Sequence, residues 1–179
     1  MGVKRSGGLE AKLRKLSGDL RKQMGAAVYT IAGLVQSDAQ ISITTGSAGG
    51  SSGGKHQHVP SAPGTAPNNM SGHLADSIQV ERIDDLTARV VANAEYAAIQ
   101  ELGGTINHPG GQPYFIKDGE FVPVSKSSPA AARLPKTKPH AITLPERPYM
   151  RPAAQKNQKD AGRLFEEAAR RALSGSSKS

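Results

Sequence analysis

The sequence predicts an α+β fold: a long N-terminal helix packed on a small antiparallel sheet, a C-terminal helix, and an extended loop or hairpin arm. Three observations predict it. An apolar stripe at steps of three and four runs through the first forty residues. Short alternating stretches flank turn signals in the middle of the chain. A second helical stripe closes the sequence.

Leu9, Leu13, Leu16, Leu20, Met24, Ala27, Ile31 and Leu34 make the first stripe, on a helix over roughly Leu9–Ala39. Gly18, Gly25 and Gly33 weaken that helix by about 1 kcal/mol each relative to alanine, and a bend is expected near Gly25. A stripe this narrow suits one sheet face or a neighbouring subunit. Residues 45–70 follow as a flexible Gly/Pro-rich loop. Gly49, Gly54, Lys55 and His56 stand there in phosphate-loop register. However, His56 occupies the place of the magnesium-binding Ser or Thr, and the prolines beyond it forbid the helix that such a loop requires. His56 and His58 have no third ligand spaced to complete a metal site.

Ser71 is placed to cap one helical turn carrying Leu74. Ile78, Val80 and Ile83 open an alternating strand, Asp84-Asp85 turns the chain, and Ala88, Val90 and Ala92 return it as a hairpin. "EYAAIQELGG" predicts a short helix with Tyr96, Ile99 and Leu102 on one side and Gly103 as its stop. Glu101 is free to face solvent, cap a helix or contact a neighbour. "QPYFIKDGEFVPVSK" is a second hairpin, because Asp118-Gly119 is a type I′ turn signal, and Pro123 marks its edge. A basic, proline-broken loop leads to "AITL", one more strand. In "PERPYMRPAA", Arg147 and Arg151 precede prolines and are pushed toward extended geometry. The segment Pro148–Arg151 is therefore a stiff elbow, with Tyr149 and Met150 as anchors, and the last helix begins at Pro152. Its inner face is Ala161, Leu164, Phe165, Ala168, Ala169 and Ala172. It is expected to end at Leu173-Ser174-Gly175.

Composition narrows the functional classes. The 179 residues are 36% hydrophobic and 4% aromatic, which is lean for a self-sufficient globule and suits stability completed by assembly. There is no cysteine, so disulfides and thiolate metal sites are excluded. No stretch approaches the ~18 apolar residues of a membrane span, and the N-terminus lacks the apolar region of a secretory signal. "MGVKRS" matches the loose myristoylation pattern. The formal charge is +8, with +5 in residues 1–22, +5 in residues 147–179 and −2 between them. Lys4, Arg5, Lys12, Arg14 and Lys15 in the first block are candidates for contact with a polyanion, either DNA or an acidic protein surface.

Three blocks resemble a known family. "PSAPGTAPNNMSGHLADSIQV" is similar to a proline-glycine run leading into T-G-x-L-x-x-S-I. "YAAIQELGG" resembles Y-x-x-x-x-E-x-G, and "ITLPERPYMRPAAQ" resembles A-R-P-F-M-R-P-A. In this order they mark the head–tail joining, or tail-completion, proteins of tailed phages. Ser71 stands where the family usually has threonine, Met70 where an acid is common, and Glu146 where a small residue precedes Arg147-Pro148. The resemblance covers roughly residues 56–173. It implies one domain over 1–173: a helix to 40, the 45–70 loop, and a β-rich core over 71–145 with a hairpin insertion at 105–140. The elbow and C-terminal helix occupy 146–173, and a disordered tail 174–179.

The resemblance also implies a structural role in the virion neck, after synthesis in the host cytoplasm. The chain would form a homo-oligomeric ring, a hexamer, between the head connector and the tail tube. Its neighbours would be connector, tail-terminator or tail-tube proteins, with DNA passing through the lumen. Tyr96, Glu101, Gly103, Arg147, Pro148, Tyr149, Met150 and Pro152 are then structural or interface residues, and no cofactor is expected. The alternative is a basic nucleic-acid-binding accessory protein. It is disfavoured by the absence of zinc-finger spacing and of aromatic residues for base stacking. An enzyme is disfavoured further, since Glu101 and His108 form a base pair only by assumption.

Overall fold

A computed structural model describes residues 7–46 and 60–176. The phosphate-loop register, His56, His58, Lys4 and Arg5 lie outside the described residues. In order, the elements are α1 (Gly7–Thr44), α2 (His73–Asp76), β1 (Ile78–Arg82), β2 (Ala88–Ala92) and α3 (Ala97–Leu102). They continue as β3 (Gly104–His108), β4 (Tyr114–Lys117), β5 (Glu120–Pro123), β6 (His140–Leu144) and α4 (Met150–Ser176). The chain is α+β, with a long N-terminal helix, small antiparallel sheets and a C-terminal helix. It divides into two compact units, Met1–Leu102 with Glu146–Ser179, and Gly103–Pro145.

The first unit is built on α1, which is longer than its expected limits at both ends. Its core joins Ala39 and Ile43 of α1 to Leu74 and Ala75 of α2, Ile78 of β1, Ala94, Ala97 of α3, and Tyr149 and Ala153 at the start of α4. Because α4 starts where α1 ends and packs along it, α4 runs back antiparallel to α1. At 38 and 27 residues the two helices are about 57 and 40 Å long. The C-terminal helix therefore runs out before α1 does. This explains how the leucine stripe divides. Ala27 is buried and Leu16, Met24 and Ile31 are half-buried, but Leu9 and Leu13 stay 60% and 56% exposed. The expected face of α4 does turn inward, with Ala168 and Ala172 buried. This helix continues through Ser176 rather than stopping near Leu173, so Ser174 and Gly175 are helical and not part of a tail.

The β1–β2 hairpin pairs Ile78 with Ala92 through to Arg82 with Ala88. Its attachment to α1 is polar as well as apolar. Gln36 Nε2 donates to the Ile78 carbonyl at 2.7 Å, and Gln40 Nε2 to the Ala75 carbonyl at 3.0 Å, which satisfies acceptors at the α2–β1 junction. Gly25 does not interrupt α1. A Cβ at that position would meet the Asp85 carbonyl, so the glycine admits the hairpin turn against the helix, where Arg21 also reaches Asp85 at 3.6 Å. Two local expectations change. Gly72, in the left-handed region at φ 83°, and not Ser71, precedes α2 as its cap. On α3 the inward residue is Ala97, while Tyr96 and Leu102 are 41% and 68% exposed. A helix of six residues can bury only the side that meets the core, and the small alanine permits the closest approach.

The second unit consists of two ladders. Strand β3 pairs antiparallel with β6, from Gly104↔Leu144 to His108↔His140, with the Thr105 and Thr143 hydroxyls 3.2 Å apart. No strand is expected at "TINH" from the sequence, and its mate lies more than thirty residues away. Strands β4 and β5 form the expected hairpin. Asp118 and Gly119 at φ 53° and 85° are the two left-handed residues that a type I′ turn demands. Between β5 and β6, Thr137 is tied to the segment before β4. Its N–H donates to the Gln112 carbonyl at 3.0 Å and its carbonyl accepts the Gly111 N–H at 2.8 Å.

Candidate functional site

The elbow before α4 is where the chain concentrates its long-range polar contacts. A helix begins with four backbone N–H groups that have no partner inside it. For α4 these belong to Tyr149, Met150, Arg151 and Pro152, and proline has none to offer. Glu101, from the last turn of α3, takes all three that remain. Its Oε2 accepts the Tyr149 and Met150 N–H groups at 2.8 and 2.9 Å, and its Oε1 accepts the Arg151 N–H at 2.9 Å. A carboxylate held here also meets the positive end of the helix dipole. Pro152 consequently sits in the third helical position and not the first. The cap supplied from α3 lets the helix start two residues earlier than local signals indicate.

The rest of the elbow is fastened by backbone and side chain together. The Arg147 N–H donates to the Gln100 carbonyl at 2.7 Å, and its Nε to the Ser61 carbonyl at 3.0 Å. The Gly64 N–H donates to the Glu146 carbonyl at 2.8 Å. Thus the three sequence blocks, near residues 61–75, 96–103 and 146–153, meet at one node. Tyr149 fills its centre at 2% exposure, the largest of the fully buried side chains among the described residues. Its hydroxyl lies 3.4 Å from the Ala97 carbonyl. Burial, reinforced by the Glu101 charge, pushes its phenol up to about 12. Gly103 follows α3 at φ 65°, the left-handed stop that turns the chain out of the helix two residues after Glu101. Arg151 reaches Glu146 at 3.0 Å. Pro148 restricts Arg147 to extended geometry. Met150 packs against the core edge. Tyr96, by contrast, stays on the outer surface, with its ring 6.1 Å from that of His73.

A second polar clasp ties α4 to α1. Asp38 accepts Lys156 Nζ and Asn157 Nδ2, each at 2.7 Å, and the buried Asn157 amide also donates to the Ala153 carbonyl at 2.9 Å. The Lys156 bond first, then the Asn157 bond, hold the Asp38 carboxyl below the usual carboxylate range. Its contribution to stability is present above the ordinary range, about pH 4, and is lost as pH falls through the lower folded value. Urea midpoints measured across the acid range should therefore fall less steeply for Asp38→Asn than for the parent. Parallel acid limbs would contradict this.

Of the residues considered for polyanion contact, Lys12, Arg14 and Lys15 lie on the exposed N-terminal part of α1. Among the described residues no three His, Asp or Glu side chains gather as a metal site, and no helix is long and apolar enough to cross a membrane. The Glu101 cap had a sequence signal, a lone glutamate two residues before a left-handed glycine. Asp38 and Asn157 had none, because nothing local distinguishes them from other surface polar residues.

The node locks α4 to α3 through Glu101 and to the segment around Ser61 through Arg147, and the Ser61 hydroxyl itself is buried without a hydrogen-bond partner among the described residues. The chain belongs to the HK97 gp10-like family, described as "Bacteriophage HK97-gp10, putative tail-component", whose model matches residues 8–103. The match runs from α1 to the glycine after Glu101, and the elbow is joined to it through the fold. Neither the curated proteins nor the solved structures contain a match. A bacteriophage tail component resides in the tail region of the virion and works in contact with other virion proteins.

Proposed function

We propose that the chain is a non-catalytic ring subunit of the phage neck, a tail-completion protein that joins the head connector to the tail tube. The observation that carries this reading is the amount of large apolar surface left uncovered. Leu9 and Leu13 on α1, and Phe115, Ile116 and Phe121 on the β4–β5 hairpin, are 40–60% exposed. The core of the first unit is small and rich in alanine. Each sheet has two strands, so each presents open edges. Contact with further copies covers such surface and pairs such edges. A head-to-tail contact closed by rotation produces a ring, here of six subunits. The β4–β5 hairpin serves as the arm reaching the next subunit, Tyr96 and the outer side of α3 lie at the interface, and the Glu101 node keeps α4 fixed while the arm engages. Lys12, Arg14 and Lys15 face an acidic surface of an adjacent ring.

Light scattering and negative-stain imaging of the purified protein test this. A sixfold ring is expected, and Ile116→Asp with Phe121→Asp should reduce it to monomers that keep their helix content. A monomer that persists at high concentration and is absent from virions would refute the reading.

A further inference from the structure

We propose that the second compact unit carries a contact for the sugar–phosphate backbone of double-stranded DNA, formed by Lys126, Arg133, Lys136 and Lys138. From Phe121 to Pro145 the chain holds these four cations and no acid, and the whole unit has five cations against two acids. All four are exposed. Among the described residues none of them is in an ion pair. In the first unit Arg21, Arg82, Arg89, Arg151, Lys156 and Arg163 each have a carboxylate within reach, while Lys12, Arg14, Lys22 and Lys159 are in no ion pair among the described residues. Cations that share a stiff segment without a counter-charge repel one another, and a polyanion relieves that repulsion.

The segment is stiff. Pro129, Pro135 and Pro139 limit its backbone, Lys136 bridges to Pro113, and Thr137 is held from the side of Gln112. The Thr137 Oγ1 accepts the Gln112 N–H at 3.1 Å, in addition to its two backbone bonds. Thr137 is thereby turned inward, and Lys136 and Lys138, on either side of it, project together about 6.6 Å apart. The chemistry selects phosphate over an acidic protein. Between Ser125 and His140 the large apolar side chains are limited to Leu134, which is half-buried. Protein interfaces are built on aromatic and apolar cores and are poor in lysine, whereas a phosphate accepts lysine as a point charge. With no group placed to read base edges, binding is independent of sequence.

Fluorescence anisotropy of a labelled random-sequence duplex with the full chain, titrated in salt, decides the matter. The parent should bind at low salt with a steep salt dependence. The triple variant Arg133→Glu, Lys136→Glu, Lys138→Glu should bind at least about tenfold more weakly. Its salt slope should fall by about 2–3, at roughly 0.9 for each phosphate that is no longer neutralised. Lys12→Glu with Arg14→Glu should leave the slope unchanged, and circular dichroism should show both variants folded. Equal binding by the triple variant, an equal loss in both variants, or tighter binding to polyglutamate than to the duplex would overturn the proposal. The DNA site is argued from the charges of one subunit, so DNA binding by a permanent monomer sinks the ring and leaves this site standing.

Discussion

Glu101→Ala is expected to destabilise the first unit by about 2–4 kcal/mol, the sum of a lost helix cap and lost charge-assisted bonds after partial replacement by water. The carboxylate accepts three backbone N–H groups that have no other acceptor among the described residues. Its side chain is only 15% exposed, so water replaces it poorly. Glu101→Gln should lie between alanine and the parent, because one amide oxygen still accepts while the NH2 group faces donors and the charge at the helix terminus is gone. Urea unfolding measures the loss. Hydrogen exchange localises it, with amides of Tyr149, Met150 and Arg151 exchanging faster than those in the middle of α4. An alanine variant within about 0.5 kcal/mol of the parent, a range usual for plain surface changes, would show that the cap is dispensable.

Tyr149→Ala should cost about 3–5 kcal/mol, the range for removing a large buried aromatic side chain. The ring fills the space between α1, α3 and the start of α4, and the surrounding alanines are too small to close over the cavity. Tyr149→Phe should cost far less, because the hydroxyl is held by one long bond of 3.4 Å. The two variants also differ at high pH. The folded phenol ionises at about 12 and an unfolded one near its ordinary 10. The stability tied to this shift is complete below pH 10 and disappears as pH rises toward 12. Tyr149→Phe should therefore lose less stability over that interval than the parent, as read from denaturant midpoints at successive pH values. Identical losses would place the phenol in solvent.

Local patterns in the sequence were enough to read the helices, both hairpins, the Asp118-Gly119 turn and the stop at Gly103. These depend on backbone preferences and on apolar periods of two or 3.6 residues, which act within a few residues of chain. The leucine stripe on α1 was legible in the same way, but not that α4 would cover only part of it, since coverage depends on where the second helix begins. That beginning is set by Glu101, roughly fifty residues earlier in the chain. The stiffness of "RPYM" and the importance of Glu101 were each visible, but not that one caps the other.

Most of the elements and their order, the uneven charge and the three blocks that mark a phage virion family were present in the linear chain, but not the strand β3. Folding in three dimensions was needed to settle which unpaired groups meet: Glu101 with the first turn of α4, Asp38 with Asn157, β3 with β6. It also settled which cations keep their charge uncompensated. The physical reason is one of range. A backbone preference is satisfied by near neighbours, but an orphan N–H, an open strand edge or a lone charge is satisfied by whatever the fold brings to it, and no local pattern names that partner.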